Sequence, residues 1–304
     1  MLRIWISVSF VLVVKLLCIS SAAAQTAGLS IVTSDVGVVE KVGGGFLTLS
    51  GPSIDEPRTM IVVLGGSEGG YSTAKSPLVM NLLLAGHRVA ALGYHGATGT
   101  PKHLQEISID AVAARIAALS NAAGTSTGCI GIIGTSKGGE LALLLASLTN
   151  AGDVYVAITP SDVVWQASNP SLRRKSSWTH SGQPLPFIKY PRFSRATLKA
   201  LRDVGQAGEL HSLALRKAKN FEAARIPIEQ ATVPILMQAG SQDELWPTKE
   251  MSERLMARLA TDKPDNNMKL KIYELDHFLG NSPKVRADAL GFLKTHLDES
   301  CQAL

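Results

Sequence analysis

Gly134-Thr-Ser-Lys-Gly138 sets a serine between two glycines, each two residues away. An apolar run, Ile130 to Ile133, precedes it, and a strongly helical run from Gly139 to Leu148 follows. A strand-to-helix turn this sharp strains its central residue. Small residues on either side let strand and helix approach, so the serine oxygen stands clear above a sheet. The helix N-terminus beneath it favours the negative charge that develops during attack. A capped glycine-rich turn could carry the same five residues, but the strand before and the helix after favour a nucleophile at Ser136.

A serine hydroxyl needs a base, and the base needs a carboxylate to orient it. In a fold built on such a turn the chain order is serine, acid, histidine, each on a loop after a strand. Asp243 follows the apolar run Val233 to Met237 through Gly240-Ser-Gln, and His277 follows Met268 to Tyr273 through Glu274-Leu-Asp. Both fall at the C-terminal edge of a sheet, where open α/β sheets bind ligands. Competing residues are less well placed: His87 begins a strand at the opposite edge, and His296 lies in the last helix. Asp276 adjoins His277, and chain neighbours rarely point their side chains at each other; Glu244 is a further acid beside Asp243.

Donors for an oxyanion complete the set. One is the backbone N–H of Lys137, the residue after the nucleophile; the other belongs to the loop Gly65-Gly-Ser-Glu-Gly-Gly70 after the first core strand. The N–H of Ser67 is the leading candidate there, with Glu68 next. The loop lacks the Lys-Ser/Thr ending of a phosphate-binding P-loop.

The elements that must position these residues alternate short apolar runs with longer amphipathic ones, the mark of a mostly parallel sheet with helices on both faces. Strands are expected at Met60 to Leu64, His87 to Leu92, Cys129 to Ile133, Val154 to Ile158, Val233 to Met237 and Met268 to Tyr273. Helices are expected at Leu78 to Ala85, Ile107 to Leu119, Gly139 to Leu148 and Lys284 to Leu297. Residues 28 to 50, with Gly43-Gly-Gly45 between apolar stretches, read as an antiparallel hairpin. The expected architecture is an α/β-hydrolase fold with a lid-like insertion over about residues 161 to 232, a stretch without strand-like runs.

Composition agrees with one large domain: 304 residues, 45% apolar and 18% charged. Arg3, the apolar run Ile4 to Ile19 and the ending Ala22-Ala-Ala24 have the parts of a secretory signal over residues 1 to 24, with Lys15 interrupting the run. An exported chain of residues 25 to 304 is expected, in preference to a membrane-anchored one, and it keeps only Cys129 and Cys301, both read as structural or incidental. The formal charge of +5 is unevenly spread: from Ser161 to Thr232 twelve Lys and Arg face five Asp and Glu, a local charge of +7. No basic tail or zinc-type cluster is present, so a nucleic-acid partner, a metal and a cofactor are not expected. The basic insertion suits an anionic acyl donor or an acidic membrane surface.

Ile130-Gly-Ile-Ile-Gly-Thr-Ser-Lys-Gly-Gly-Glu-Leu-Ala-Leu143 resembles the elbow of the acyl-CoA thioesterases and bile acid-CoA:amino acid N-acyltransferases, in their C-terminal hydrolase domain. Gly93-Tyr-His95, Pro101-Lys-His-Leu-Gln-Glu-Ile107, Ile226-Pro-Ile-Glu229, Gln242-Asp-Glu-Leu-Trp-Pro247 and Asp276-His-Phe278 extend the resemblance across residues 60 to 295. It implies a triad of Ser136, Asp243 and His277, and hydrolysis of an ester or thioester through an acyl-serine. The alternatives are acyl-CoA:amine N-acyl transfer and a catalytically silent binding protein on a hydrolase scaffold. Transferases of the family use cysteine at the elbow, so Ser136 implies water as the acceptor. The stretch between the signal and Met60 is too short for the immunoglobulin-like domain of eukaryotic members. Since acyl-CoA is a cytosolic metabolite, an exported chain inherits the reaction class more readily than that substrate.

Overall fold

A computed structural model describes residues 39–40, 46–49, 59–122, 129–167, 174–192, 194–203 and 207–302. The expected signal segment, Gly43-Gly-Gly45 and Arg173 lie outside these residues. Eight strands form one sheet: β1 Val39–Glu40, β2 Phe46–Leu49, β3 Thr59–Leu64, β4 Arg88–Leu92, β6 Cys129–Thr135, β7 Val154–Ile158, β10 Ile235–Gly240 and β11 Met268–Tyr273. Their spatial order is β1-β2-β4-β3-β6-β7-β10-β11. The six strands from β4 to β11 run parallel, while β1 and β2 are antiparallel, as the hairpin reading of residues 28 to 50 expected.

The period-2 rule for strands divides the core between two faces. Met60, Val62 and Leu64 of β3 point to one face, where they meet Ile109, Val112 and Ile116 of α2 (Ile109–Ala122), Leu141 and Leu145 of α3 (Lys137–Leu148), and Leu255 and Leu259 of α7 (Thr248–Asp262). Ile61 and Val63 point to the other, against Leu78 and Leu82 of α1 (Pro77–Leu84) and Leu293 and Leu297 of α8 (Pro283–Gln302). Parallel strands covered on both faces read as continuous apolar runs, which is why β3, β6 and β7 were legible and their bounds nearly right.

The segment between β7 and β10 departs from the strandless reading. Trp178–His180 (β8) and Gln183–Pro184 (β9) pair antiparallel, and β8 pairs parallel with β5 (Ile107–Ser108), making a small three-stranded sheet. Strands of two or three residues are too short to show alternation. Three helices follow, α4 Arg195–Arg202, α5 Gly208–Lys217 and α6 Phe221–Ala224. Cys129, where β6 begins, is disulfide-bonded, which makes it structural. Among the described residues no helix is long and apolar enough to cross a membrane.

Candidate active site

The turn between β6 and α3 has the geometry its glycines allow. Ser136 sits at φ 57° and ψ −120°, a region costly to any residue with a Cβ. Around it there is no room for side chains. A Cβ on Gly134 would lie 1.9 Å from the carbonyl oxygen of Gly138, and one on Gly138 would lie 2.3 Å from that of Gly65. Strand, turn and the 65–70 loop therefore touch backbone to backbone, and Ser136 is lifted clear.

His277 and Asp243 arrive on the loops after β11 and β10. Ser136 Oγ lies 2.9 Å from His277 Nε2, and His277 Nδ1 lies 2.8 Å from Asp243 Oδ2. A carboxylate cannot donate, so Nδ1 carries the proton and Nε2 is left to accept from the serine hydroxyl. The Asp243 carboxylate is buried and held in turn: Oδ1 accepts the N–H groups of Leu245 (2.9 Å) and Trp246 (3.2 Å), and Oδ2 accepts the hydroxyl of Thr248 (3.0 Å). Trp246 packs edge-on against the His277 ring at 5.8 Å between centroids. The three residues expected from the sequence thus form one hydrogen-bonded chain. The competitors lie elsewhere: His87 bonds Thr59 and His296 pairs with Glu299, while Asp276 accepts the N–H of Phe278.

The loop after β3 is held by Tyr94, which the sequence shows only as part of the Gly93-Tyr-His95 resemblance. Buried Tyr94 donates its hydroxyl to the carbonyl oxygens of both Gly65 and Gly66, at 2.7 and 2.9 Å. In a trans peptide the N–H points opposite to the C=O, so the N–H groups of Gly66 and Ser67 face away from Tyr94. Gly66 lies close to the nucleophile, a Cβ there reaching 3.4 Å from that of Ser136. Its N–H is taken by Glu68 Oε1 at 3.0 Å. With that N–H taken, the loop's remaining candidates are the N–H groups of Ser67 and Glu68. Lys137 opens α3, so its N–H has no partner within the helix and is open to an incoming oxygen.

Beneath the elbow lies a network visible in sequence only as the Ser-Lys-Gly-Gly-Glu resemblance. Lys137 Nζ meets Glu140 Oε2 at 2.6 Å, both side chains buried. Glu140 Oε1 accepts the indole N–H of Trp178 at 2.6 Å and the backbone N–H of Trp165 at 3.2 Å. Burial pushes the Glu140 carboxyl up and the Lys137 ammonium down, and each charge opposes the shift of the other. Trp165 stacks on Tyr190 and lies T-shaped to His211, which also packs edge-on to Trp246. An aromatic chain therefore runs from the insertion to the ring beside His277. Among the described residues no group of three or more His, Cys, Asp or Glu could hold a metal ion.

The family model described as BAAT / Acyl-CoA thioester hydrolase C terminal matches residues 113–283, which include Ser136, Asp243 and His277. Acyl-coenzyme A thioesterase 1 of Mus musculus is 28% identical over 222 residues, 71% of this chain and 48% of that protein. The chain thus spans about half the length of the curated relative it matches. An esterase of Pyrococcus furiosus superposes with a TM-score of 0.56 at 15% identity, over 83% of this chain and 86% of that one. An esterase/lipase from an uncultured bacterium gives 0.55 at 16% identity, over 88% and 86%. Such likeness shows the α/β-hydrolase fold. With the family model covering more than half of its length, the chain belongs to the BAAT / acyl-CoA thioester hydrolase C-terminal family.

Proposed function

We propose that the protein is a serine hydrolase of esters or thioesters, acyl-CoA-like donors among them, working through an acyl-Ser136 intermediate. The observation that carries this reading is the unbroken chain from Ser136 Oγ through His277 to Asp243 on a strained elbow. His277 Nε2 takes the hydroxyl proton as Oγ attacks the carbonyl carbon. The oxyanion so formed is held by the N–H groups of Lys137 and Ser67. Its collapse expels the thiolate or alkoxide, which leaves with the proton from His277. Water then attacks the acyl-serine, gives its proton to His277, and Ser136 regains one as the acid departs. Asp243 fixes the imidazole tautomer and stabilises the imidazolium. The family match supports a thioester or ester bond as the target. Serine at the elbow supports water as the acceptor, because an oxygen ester is less open to amines than a thioester.

Fluorophosphonate labelling of the purified protein tests the activated serine. Ser136→Ala should abolish labelling and hydrolysis of short p-nitrophenyl esters, and His277→Ala nearly so, by roughly 10³-fold or more. Wild-type turnover in Ser136→Ala would overturn the mechanism.

We also propose, on separate grounds, that the enzyme acts outside the cytoplasm. Arg3, the apolar run and Ala22-Ala-Ala24 support it, as does the disulfide at Cys129, since such bonds persist in oxidising compartments. N-terminal sequencing of the natural protein should give Gln25 or a near neighbour. An intact Met1 in a soluble cytosolic fraction would remove the export argument.

A further inference from the structure

The proposed hydrolysis has no use for a second carboxylate at the nucleophile, yet Glu68 supplies one. The loop turns back on itself through Gly69 and Gly70, at φ 71° and 65°, and folds the Glu68 side chain onto its own start. Oε1 accepts the N–H of Gly66 at 3.0 Å and the hydroxyl of Ser72 at 2.8 Å, which fixes the carboxylate although the residue is exposed. A Cβ built on Gly66 would lie 2.7 Å from Glu68 Oε2 and 3.4 Å from Ser136 Cβ. Both distances start from one point, so Oε2 stands no farther from Ser136 Cβ than the two laid end to end.

A negative charge that close to a developing oxyanion opposes the reaction, since like charges repel over several ångströms in a partly desolvated site. A substrate carrying a positive charge near its scissile carbonyl would turn that repulsion into attraction. Resting on the hydrolase reading above, we infer that Glu68 is a specificity-determining residue that selects acyl donors with a cationic group a few bonds from the reacting carbonyl. The Gly66 and Ser72 bonds leave Oε2 free to meet that cation.

Two p-nitrophenyl esters of equal shape test the inference: 4-(trimethylammonio)butanoate, which is cationic, and 5,5-dimethylhexanoate, its neutral carbon counterpart. The quantity read is the ratio of their kcat/KM values, cationic over neutral, at one ionic strength in the full chain. Glu68→Gln keeps the acceptor that holds the loop and should lower this ratio about tenfold, while Glu68→Asp, which keeps the charge, should hold it within about threefold of wild type. A ratio unchanged by Glu68→Gln would overturn the inference and leave Glu68 as a loop brace, with the hydrolase reading intact. Failure of the wild-type protein to cleave either ester would instead count against the hydrolase reading itself.

Discussion

Glu140 and Trp178 lie 38 residues apart in the chain, yet the indole N–H of Trp178 reaches Glu140 Oε1 at 2.6 Å. This bond joins the helix behind the nucleophile to the segment that crosses above the sheet. It completes a set in which one buried carboxylate answers Lys137, Trp178 and the backbone of Trp165. Breaking such a set leaves a buried charge alone. Glu140→Gln should therefore cost about 3–5 kcal/mol of stability, read from urea unfolding midpoints. Adding Lys137→Met should recover much of that loss, because it removes the stranded ammonium while keeping the Lys137 backbone N–H.

Tyr94 serves the loop and leaves the substrate alone. Its two bonds to the carbonyls of Gly65 and Gly66 hold the Gly65–Gly66 and Gly66–Ser67 peptides, and burial pushes the phenol well above its ordinary range, so it stays a donor. Tyr94→Phe should lower kcat for p-nitrophenyl esters by roughly 10–100-fold with little change in KM, since an oxyanion donor acts on the transition state. An equal rise in KM without loss of kcat would show that the loop binds the ground state instead.

Acid should weaken the fold through His211. Burial pushes this imidazole down to about 4, and it rests between the Ala207 carbonyl (2.9 Å) and the Tyr190 hydroxyl (3.1 Å). In the unfolded chain a histidine binds its proton near pH 6.5. Between about 6.5 and 4 the unfolded state therefore holds a proton that the folded state lacks, and stability falls as pH falls, by about 1 kcal/mol per unit at the steepest. Above 6.5 the group contributes nothing to the slope. Burial also lowers His87 and His95, which tilt the profile the same way. Thermal unfolding from pH 7.5 to 5 should show the fall, and His211→Gln should flatten part of it.

The charge of the insertion gives a prediction about salt. Some of its cations already have partners: Lys175 pairs with Glu106, Lys199 with Glu209 and Arg225 with Glu222. If the remainder attract an anionic donor, kcat/KM for an anionic ester should fall as salt rises, while a neutral ester of equal acyl length should hardly respond. Screening acts over about 8 Å at physiological ionic strength. Charge reversal at Arg174, together with Arg173, should flatten the difference. Equal salt dependence of the two esters would leave the basic insertion without a part in binding.

The sequence by itself picked out the three residues that meet at the sheet edge. Ser136, Asp243 and His277 each follow an apolar strand, and in a parallel sheet all strand ends on one edge converge, so chain order alone brings residues 141 apart together. It also determined the parallel strands β3, β4, β6, β7 and β10, because burial on both faces leaves continuous apolar runs, while the edge strand β11 is marked by Lys269 and Lys271 alternating with apolar residues. Only the tertiary structure decided the rest. Tyr94 meets Gly65 and Gly66 from 29 and 28 residues away, and Trp165 and Trp178 reach Glu140 from 25 and 38. Nothing in local periodicity encodes such bonds, since each depends on where two distant segments meet. The short pairings of β5, β8 and β9 escaped for the same reason: two or three residues carry no pattern, and the chain adopts them because neighbours already packed supply the missing hydrogen-bond partners. The net charge of the insertion could be counted from the letters. Which of those charges is neutralised is a matter of position, and position belongs to the fold.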